Sequence, residues 1–366
     1  MEKRNYNIDL FRIIAAFLVT VLHVLGQGGI LKSTLPGGIN YWAAWFLEIC
    51  AYGAVNCFAL ISGYVMVNKT IKAKNIIGLW FQILFYSLLF TLLSFAFFPE
   101  SRSVKTLAAA VMPVLGKQWW YVSGYFALYF LITFLNAAIH NISQQTYKKV
   151  LLLILLVICC MDCVHPIDAF LLNDGYSVLW LVVVYLFGAY IRKYEVCEKI
   201  TSLKCMIGFF AMIAITFISK IAIWLLTKSV PGLAQYEDTF VSYTSVTILL
   251  SAIFLLLFCL KINISNPASK LIRFISPAAL GVYLIHVHPL VFEFCMKDAF
   301  VSFATKSPMV MILCVVAASL AIFALCASIE LLRIQIFKAI KVSKLSEFVA
   351  VKINDLYLRV FETKQK

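Results

Sequence analysis

The stretch NIDLFRIIAAFLVTVLHV, residues 7–24, is apolar for most of its length yet carries Asp9, Arg12 and His23. Wound as a helix, it places Arg12 about 60° around the axis from Asp9 and His23 only about 20° from Arg12, about 16 Å farther along. All three then share one face, with Asp9 and Arg12 near one end and His23 toward the other. The acid and base fit either a pair reaching out to the membrane surface or a functional pair. A histidine within such a helix is either an interhelical hydrogen-bond donor or a proton acceptor on a substrate path. Imidazole exchanges its proton near neutral pH, so the general-base reading is preferred.

Composition sets the surroundings of that helix. Of 366 residues, 63% are hydrophobic and only 13% charged, which excludes an ordinary soluble globule. The fold class expected is all-α, a polytopic integral membrane protein. At about 20 apolar residues per span, about ten spans are expected, near residues 9–30, 42–67, 76–98, 119–139, 150–162, 177–191, 205–227, 241–260, 274–292 and 309–330. With the amino terminus inside, most of the 31 Lys and Arg fall in cytoplasmic segments, so both termini are expected there. The net charge of +14 is then mainly a topology signal and calls for no nucleic acid. The basic tail can also lie along an anionic leaflet. The first apolar stretch is long, charged within and without a small-residue cleavage site, so it is read as a retained span rather than a signal peptide. The 11 cysteines fall mostly inside spans without a metal-type pair, and are read as packing residues. Residues 1–330 form one membrane domain on this reading, and residues 331–366 a basic cytoplasmic tail.

Three further stretches carry candidate site residues. VNCFALISGYVMVNKTIKAKN, residues 55–75, sets Asn56 and a Ser62-Gly63-Tyr64 step in a span that ends in Lys69, Lys72 and Lys74. The lysines serve either as positive-inside anchors or as phosphate partners for a cytosolic cofactor. QWWYVSGYFALYFLITFLN, residues 118–136, opens a span with Trp120 and Tyr121, which suit either an interfacial belt or sugar stacking. SPAALGVYLIHVHPLVFE, residues 276–293, carries Tyr283, His286 and His288. Two residues apart, the histidines point about 160° from one another, so a shared metal is not expected, and only His286 is expected to face the bundle.

Taken in order, IDLFRIIAAFLVTVLH, VNCFALISGYVM, WWYVSGYFALYFLITFLN, YLFGAYIRKY and GVYLIHVHP, spread over residues 8–289, resemble the membrane acyltransferase-3 family, in particular its capsule and exopolysaccharide O-acetyltransferase branch. The resemblance implies transfer of an acyl group, most often acetyl, from a cytoplasmic coenzyme A thioester to a hydroxyl of a surface glycan or its lipid-linked precursor. It implies a bacterial plasma membrane and no permanently bound cofactor, acetyl-CoA or another acyl-CoA being the donor substrate. It marks His23 as the catalytic residue, Arg12 and Asp9 as the signature pair of its helix, and Ser62-Gly63-Tyr64 as part of the site wall. Relatives place arginines after that step, where this chain has only the three lysines, and lysine lacks the bidentate fork.

Donor phosphates are thus expected against Lys69, Lys72, Lys74 and Arg12, with Ser62 and Tyr64 along the donor path. Acceptor contacts are expected from Glu48, Asn56, Trp120, Tyr121, Tyr283 and His286. Glu48 sits six residues into its span, at nearly the depth of His23, and is expected to line the same cavity and orient the imidazole. A different class of function, a transporter or flippase with His23, Lys220 and Glu48 as a proton relay, draws on the same intramembrane ionisable groups.

Overall fold

The computed structural model describes residues 4–161 and 168–361. Among these residues every regular element is helical. Hydrocarbon leaves backbone N–H and C=O groups no water to bond, so helices that satisfy them internally are the solution open to this composition. The helices that build the site are α1 (Tyr6–Leu25), α2 (Ile39–Tyr52), α3 (Ala54–Met66), α4 (Ala73–Phe97), α5 (Trp120–Asn141) and α6 (Val178–Lys193). They are followed by α7 (Ser202–Thr227), α8 (Val246–Leu260), α9 (Asn266–Ile275), α10 (Ala279–His286), α11 (Pro308–Ala339) and α12 (Val342–Phe361).

Seven helical runs among the described residues are long and apolar enough to cross a membrane: Tyr6–Ser33, Ile39–Met66, Ala73–Phe97, Trp120–Asn141, Ser202–Thr227, Asn266–His286 and Pro308–Ala339. Their outward faces are greasy, as with Phe130 and Phe134 on α5, Phe210 and Ile218 on α7, and Leu313 and Leu325 on α11, all exposed. The count falls short of the expected ten because hydropathy measures apolar runs rather than helices. Helix α6 has 16 residues and α8 has 15, about 24 and 23 Å against the roughly 30 Å of a hydrocarbon core. The chain leading into α8 is non-helical at Thr244, yet fully buried there, which is tolerated because protein rather than lipid surrounds it. The expected span at 150–162 ends outside the described residues, and its described part is a helix over Gln144–Leu153 continued by a π-helical turn over Ile154–Cys159.

Two expected spans are broken. The second divides at Gly53 into α2 and α3, where a Cβ would meet Ser251 Oγ at 3.3 Å. The ninth passes through a 3-10 turn over Ser276–Ala278 between α9 and α10, at Pro277, which has no N–H to donate.

Helix α1 stands in the middle of the bundle and packs against α2, α3, α8, α9, α10 and α11. Its small buried residues Ala15, Ala16 and Thr20 let these neighbours approach. The Asn5 side chain caps its first turn by accepting from the Asn7 and Ile8 N–H groups. The Asn7 amide then donates to the Cys259 and Ile262 carbonyls, both at 2.8 Å, and pins the start of α1 to the end of α8.

The closest helix contact joins α3 to α6, and glycines on both sides make it possible. A Cβ at Gly63 would overlap the Tyr185 carbonyl, and one at Gly188 would overlap the Leu60 carbonyl. The two backbones therefore touch, a small-residue crossing suited to a medium in which dispersion and fit drive association. A second clamp lies between α4 and α11. The fully buried Glu330 carboxylate accepts from Gln82 Nε2 at 3.0 Å, from the Tyr86 hydroxyl, and from Arg333 Nε at 3.0 Å. Arg333 neutralises Glu330 one turn away; α11 runs on without a break to Ala339, and the position taken as the end of the membrane domain falls within it. Helix α12 then lies along α4, with Lys74 Nζ 3.4 Å from Glu347 Oε1.

Replacing Gly63 with Ala should force α3 and α6 apart. Thermal unfolding of the detergent-solubilised protein should show a loss of about 1–3 kcal/mol, the usual cost of overpacking. An unchanged unfolding midpoint would mean that the crossing does not hold the two helices.

Candidate active site

Helix α1 carries its polar groups on the face that turns toward empty space within the bundle. His23 Nδ1 lies 2.9 Å from His286 Nε2, their ring centroids 5.1 Å apart. His286 Nδ1 in turn sits against the Val282 carbonyl one turn back on its own helix. A carbonyl only accepts, so the His286 proton belongs on Nδ1 and the lone pair of the neutral ring on Nε2. That lone pair takes the His23 Nδ1–H, leaving His23 Nε2 as the acceptor. The edge of Phe292, with its centroid 5.1 Å from the ring of His23, flanks the imidazole. His23 lines a cavity of about 570 Å³ whose wall includes Trp120, Tyr121, Tyr176, Tyr243 and Tyr283.

A second cavity, about 880 Å³, adjoins the first through Phe58, Tyr121 and Leu280, which line both. Its wall is mostly apolar, with Ser62, Tyr121, Tyr125 and Arg12 as the polar exceptions. Arg12 and Val65 are shared in turn with a recess of about 720 Å³ at the amino-terminal end of α1. Among the described residues the wall of that recess carries Arg4, Arg12, Lys69 and Arg192 against the one carboxylate of Asp9. Asp9, 6% exposed, accepts from Arg12 Nη1 at 2.8 Å and from Arg4 Nε, whose Nη2 reaches Ser276 Oγ at 2.8 Å. The Arg192 guanidinium lies 5.4 Å over the ring of Tyr64, a stacking that suits arginine's planar charge. A polyanion placed here meets preformed, fork-shaped donors.

At the other end, Tyr176 is common to the His23 cavity and to an open recess of about 1100 Å³. Tyr176, Tyr243 and Trp120 form one aromatic group: Trp120 lies 4.5 Å from Tyr176 and 6.5 Å, nearly parallel, from Tyr243.

The structure brings together His23, Tyr121, Tyr283 and Trp120 in the first cavity, and Asp9, Arg12, Tyr64 and Lys69 in the cationic recess, with Ser62 between them. Other expectations need correction. Lys72 and Lys74 do not line the recess, since helix α4 starts there and carries Lys74 to Glu347. Asn56 is fully buried and its amide is committed, with Nδ2 donating to the Tyr243 carbonyl and Oδ1 accepting from Trp180 Nε1, both at 2.9 Å. It positions the Tyr243 segment and faces no open space. Glu48 is buried but absent from the wall of the His23 cavity, and the imidazole is held by His286 instead. His288, expected to face away from the bundle, is fully buried between Phe90 and Trp119. Lys220, buried on α7, pairs with Asp238 and Glu237 and lies 3.5 Å over the ring of Trp45. His23, Glu48 and Lys220 thus share no cavity, and the transporter reading loses its relay. Sequence reasoning counted Arg4 and Arg192 only among the cytoplasmic cations and gave neither them nor Tyr176 or Tyr243 a place in the site.

A family model described as an acyltransferase domain matches residues 5–328. The chain belongs to the membrane acyltransferase-3 family. No curated protein matches the chain, and no solved structure does. As an acyltransferase-3 protein it carries its imidazole, its aromatic wall and, but for Arg4, its guanidinium recess within the matched span.

If Asn56 is structural in this acyltransferase, Asn56→Ala should destabilise it by about 1–3 kcal/mol, the cost of leaving Trp180 Nε1 and the Tyr243 carbonyl without partners. Unaltered thermal stability together with a raised KM would return Asn56 to the substrate site.

Proposed function

We propose that the protein is a multi-pass O-acyltransferase of the bacterial plasma membrane that moves an acyl group, most simply acetyl, from cytoplasmic acyl-CoA to a hydroxyl of a surface polysaccharide or its lipid-linked precursor. The observation that carries this reading is the run of adjoining cavities from the guanidinium recess to His23 Nε2. Its sequence of chemistries matches a coenzyme A thioester: a cationic recess for the phosphates, an apolar passage for the arm, and a base at the far end. The amino-terminal end of α1 then faces the cytoplasm, in keeping with the positive-inside distribution of Lys and Arg.

In the transfer step His23 Nε2 takes the proton of the acceptor hydroxyl as its oxygen attacks the thioester carbonyl. The Tyr283 hydroxyl, buried in the same cavity and making no hydrogen bond of ordinary geometry, donates to the developing oxyanion. Collapse expels the coenzyme A thiolate, which recovers the proton from His23, so the products are the ester and free coenzyme A. His286 acts as a positioning residue, since its proton on Nδ1 decides which nitrogen of His23 is basic. The apolar passage excludes water and so limits hydrolysis of the thioester.

With purified protein and radiolabelled acetyl-CoA, His23→Ala should lower the transfer rate about 10²–10⁴-fold while the unfolding temperature hardly moves. Near wild-type turnover in that variant would refute the assignment. On the donor side, Arg192→Gln should raise the KM for acyl-CoA about tenfold or more with little change in kcat, as expected when a charge-assisted contact of about 1.5–3 kcal/mol to bound donor is removed. An unchanged KM would leave Arg192 a structural partner of Tyr64.

A further inference from the structure

We propose that the open recess beyond Tyr176 is an acceptor vestibule built for uncharged, hydroxyl-rich sugar units, and that it turns away glycans bearing carboxylates or phosphates where they would meet its wall. The inference rests on the acyltransferase reading for what happens to the sugar afterwards, but not for the binding itself.

The recess holds Asp168, Asp174 and Asp238, and among the described residues neither lysine nor arginine lines it. Two of the carboxylates are fixed in place. Asp168 accepts from the Leu172 and Asn173 N–H groups at 2.6 and 2.7 Å, and Asp238 is paired with Lys220. Asp174 is exposed and carries no hydrogen bond or ion pair among the described residues. Around them stand neutral polar groups, Asn173, Gln235 and Ser242. Carboxylates and amides are the groups that accept from and donate to sugar hydroxyls, whereas an anionic sugar would face the like charge of Asp168 and Asp174, since the nearby Lys220 is already committed to Asp238 and Glu237.

A second observation ties the recess to a ligand. Tyr176 lines both it and the His23 cavity, where the Tyr283 hydroxyl is 9% exposed by residue and makes no hydrogen bond of ordinary geometry. A buried polar group left in this way is costly until something bonds it, and a sugar hydroxyl drawn inward past Tyr176 supplies the partner until the thioester oxygen takes its place in the transfer step. Tyr176, Trp120 and Tyr243 give the flat faces of sugar rings a surface to lie on. The two ends of the cavity run therefore carry opposite charge: four cations with Asp9 at one end, three aspartates at the other. The acidic end also opposes passage of the polyanionic donor through the protein.

The test uses the full chain in detergent and a panel of uncharged hexose and N-acetylhexosamine oligomers with their hexuronate-bearing counterparts. Binding is read by tryptophan fluorescence and transfer by radiolabelled acetyl-CoA. The uncharged oligomers should bind, and the hexuronates about tenfold more weakly, the factor given by about 1.4 kcal/mol of opposition. The gap should narrow in Asp174→Asn, which keeps the shape and tolerates the backbone at φ 52, and should narrow again at high salt. Equal or tighter binding of the hexuronates, a gap indifferent to both Asp174→Asn and salt, or no binding by any oligomer overturns the vestibule. Discriminating binding without transfer to any oligomer upholds the vestibule and counts against the acyltransferase reading instead.

Discussion

A charged or titratable side chain persists in hydrocarbon only where protein encloses it, and this chain meets that constraint by setting α1 at the centre of the bundle. With neighbours on its several sides, α1 has little lipid-facing surface over its middle, and Phe11, Ala15 and Val24 are buried along with Asp9. Its polar face is then free to border internal space instead of lipid. The charges at its amino-terminal end are balanced where they stand, Asp9 between Arg4 and Arg12. The histidine at the other end is met by a second ring from α10, 263 positions away. Moving α1 to the periphery would expose the same residues to acyl chains, so the site and the packing have one cause.

That central position is held by contacts remote from the site. The Gly63 and Gly188 crossing brings α6 against α3 and carries Arg192 to Tyr64, so a guanidinium from the middle of the chain completes the recess begun by Arg4 and Arg12. On the opposite side, Asn56 ties α3 to both Trp180 and the Tyr243 carbonyl, and Lys220 holds Glu237 and Asp238 against α7. One polar network therefore fixes the segment that supplies Tyr243 to the inner cavity and Asp238 to the outer recess. Gly281 of α10 leaves room only for Glu330 of α11, whose clamp on Gln82 and Tyr86 seats the helix that bears Tyr283 and His286.

What the sequence made legible follows from which coordinates a single helix determines. The shared face of Asp9, Arg12 and His23 depends only on helical geometry, and these residues do line the same run of cavities. The placing of Glu48 by depth in the membrane used one coordinate of three; the rotation of α2 about its axis was unspecified, and the place beside His23 went to His286. Asn56 was singled out because a buried amide is expensive, but the same expense is met by Trp180 and a backbone carbonyl, and composition does not distinguish a ligand from a neighbour. The lysines after the Ser62-Gly63-Tyr64 step read as one cluster in sequence. In space the start of α4 divides them, sending Lys74 to α12 and leaving Lys69 in the recess. Arginines do stand in the recess, Arg12 from α1 and Arg192 from α6, and only the crossing of the helices reveals it.

The choice of a second imidazole, rather than a carboxylate, to hold His23 has its own physical sense. A carboxylate in that position would be a standing charge in a low-dielectric interior, expensive whenever no cation faces it. A neutral ring anchored by its own backbone carbonyl fixes the proton on His23 Nδ1 just as firmly and adds no charge to the resting protein. In the proposed transfer, positive charge appears on His23 only as the acceptor hydroxyl gives up its proton, at the moment when negative charge builds on the thioester oxygen beside it. The two charges arise together and offset one another, so the interior need not be polar before the reaction to accommodate it during the reaction. Such an arrangement favours the transition state over the ground state, which is the condition for rate acceleration, and it explains how a cavity walled chiefly by aromatic and aliphatic side chains can host an ionic step.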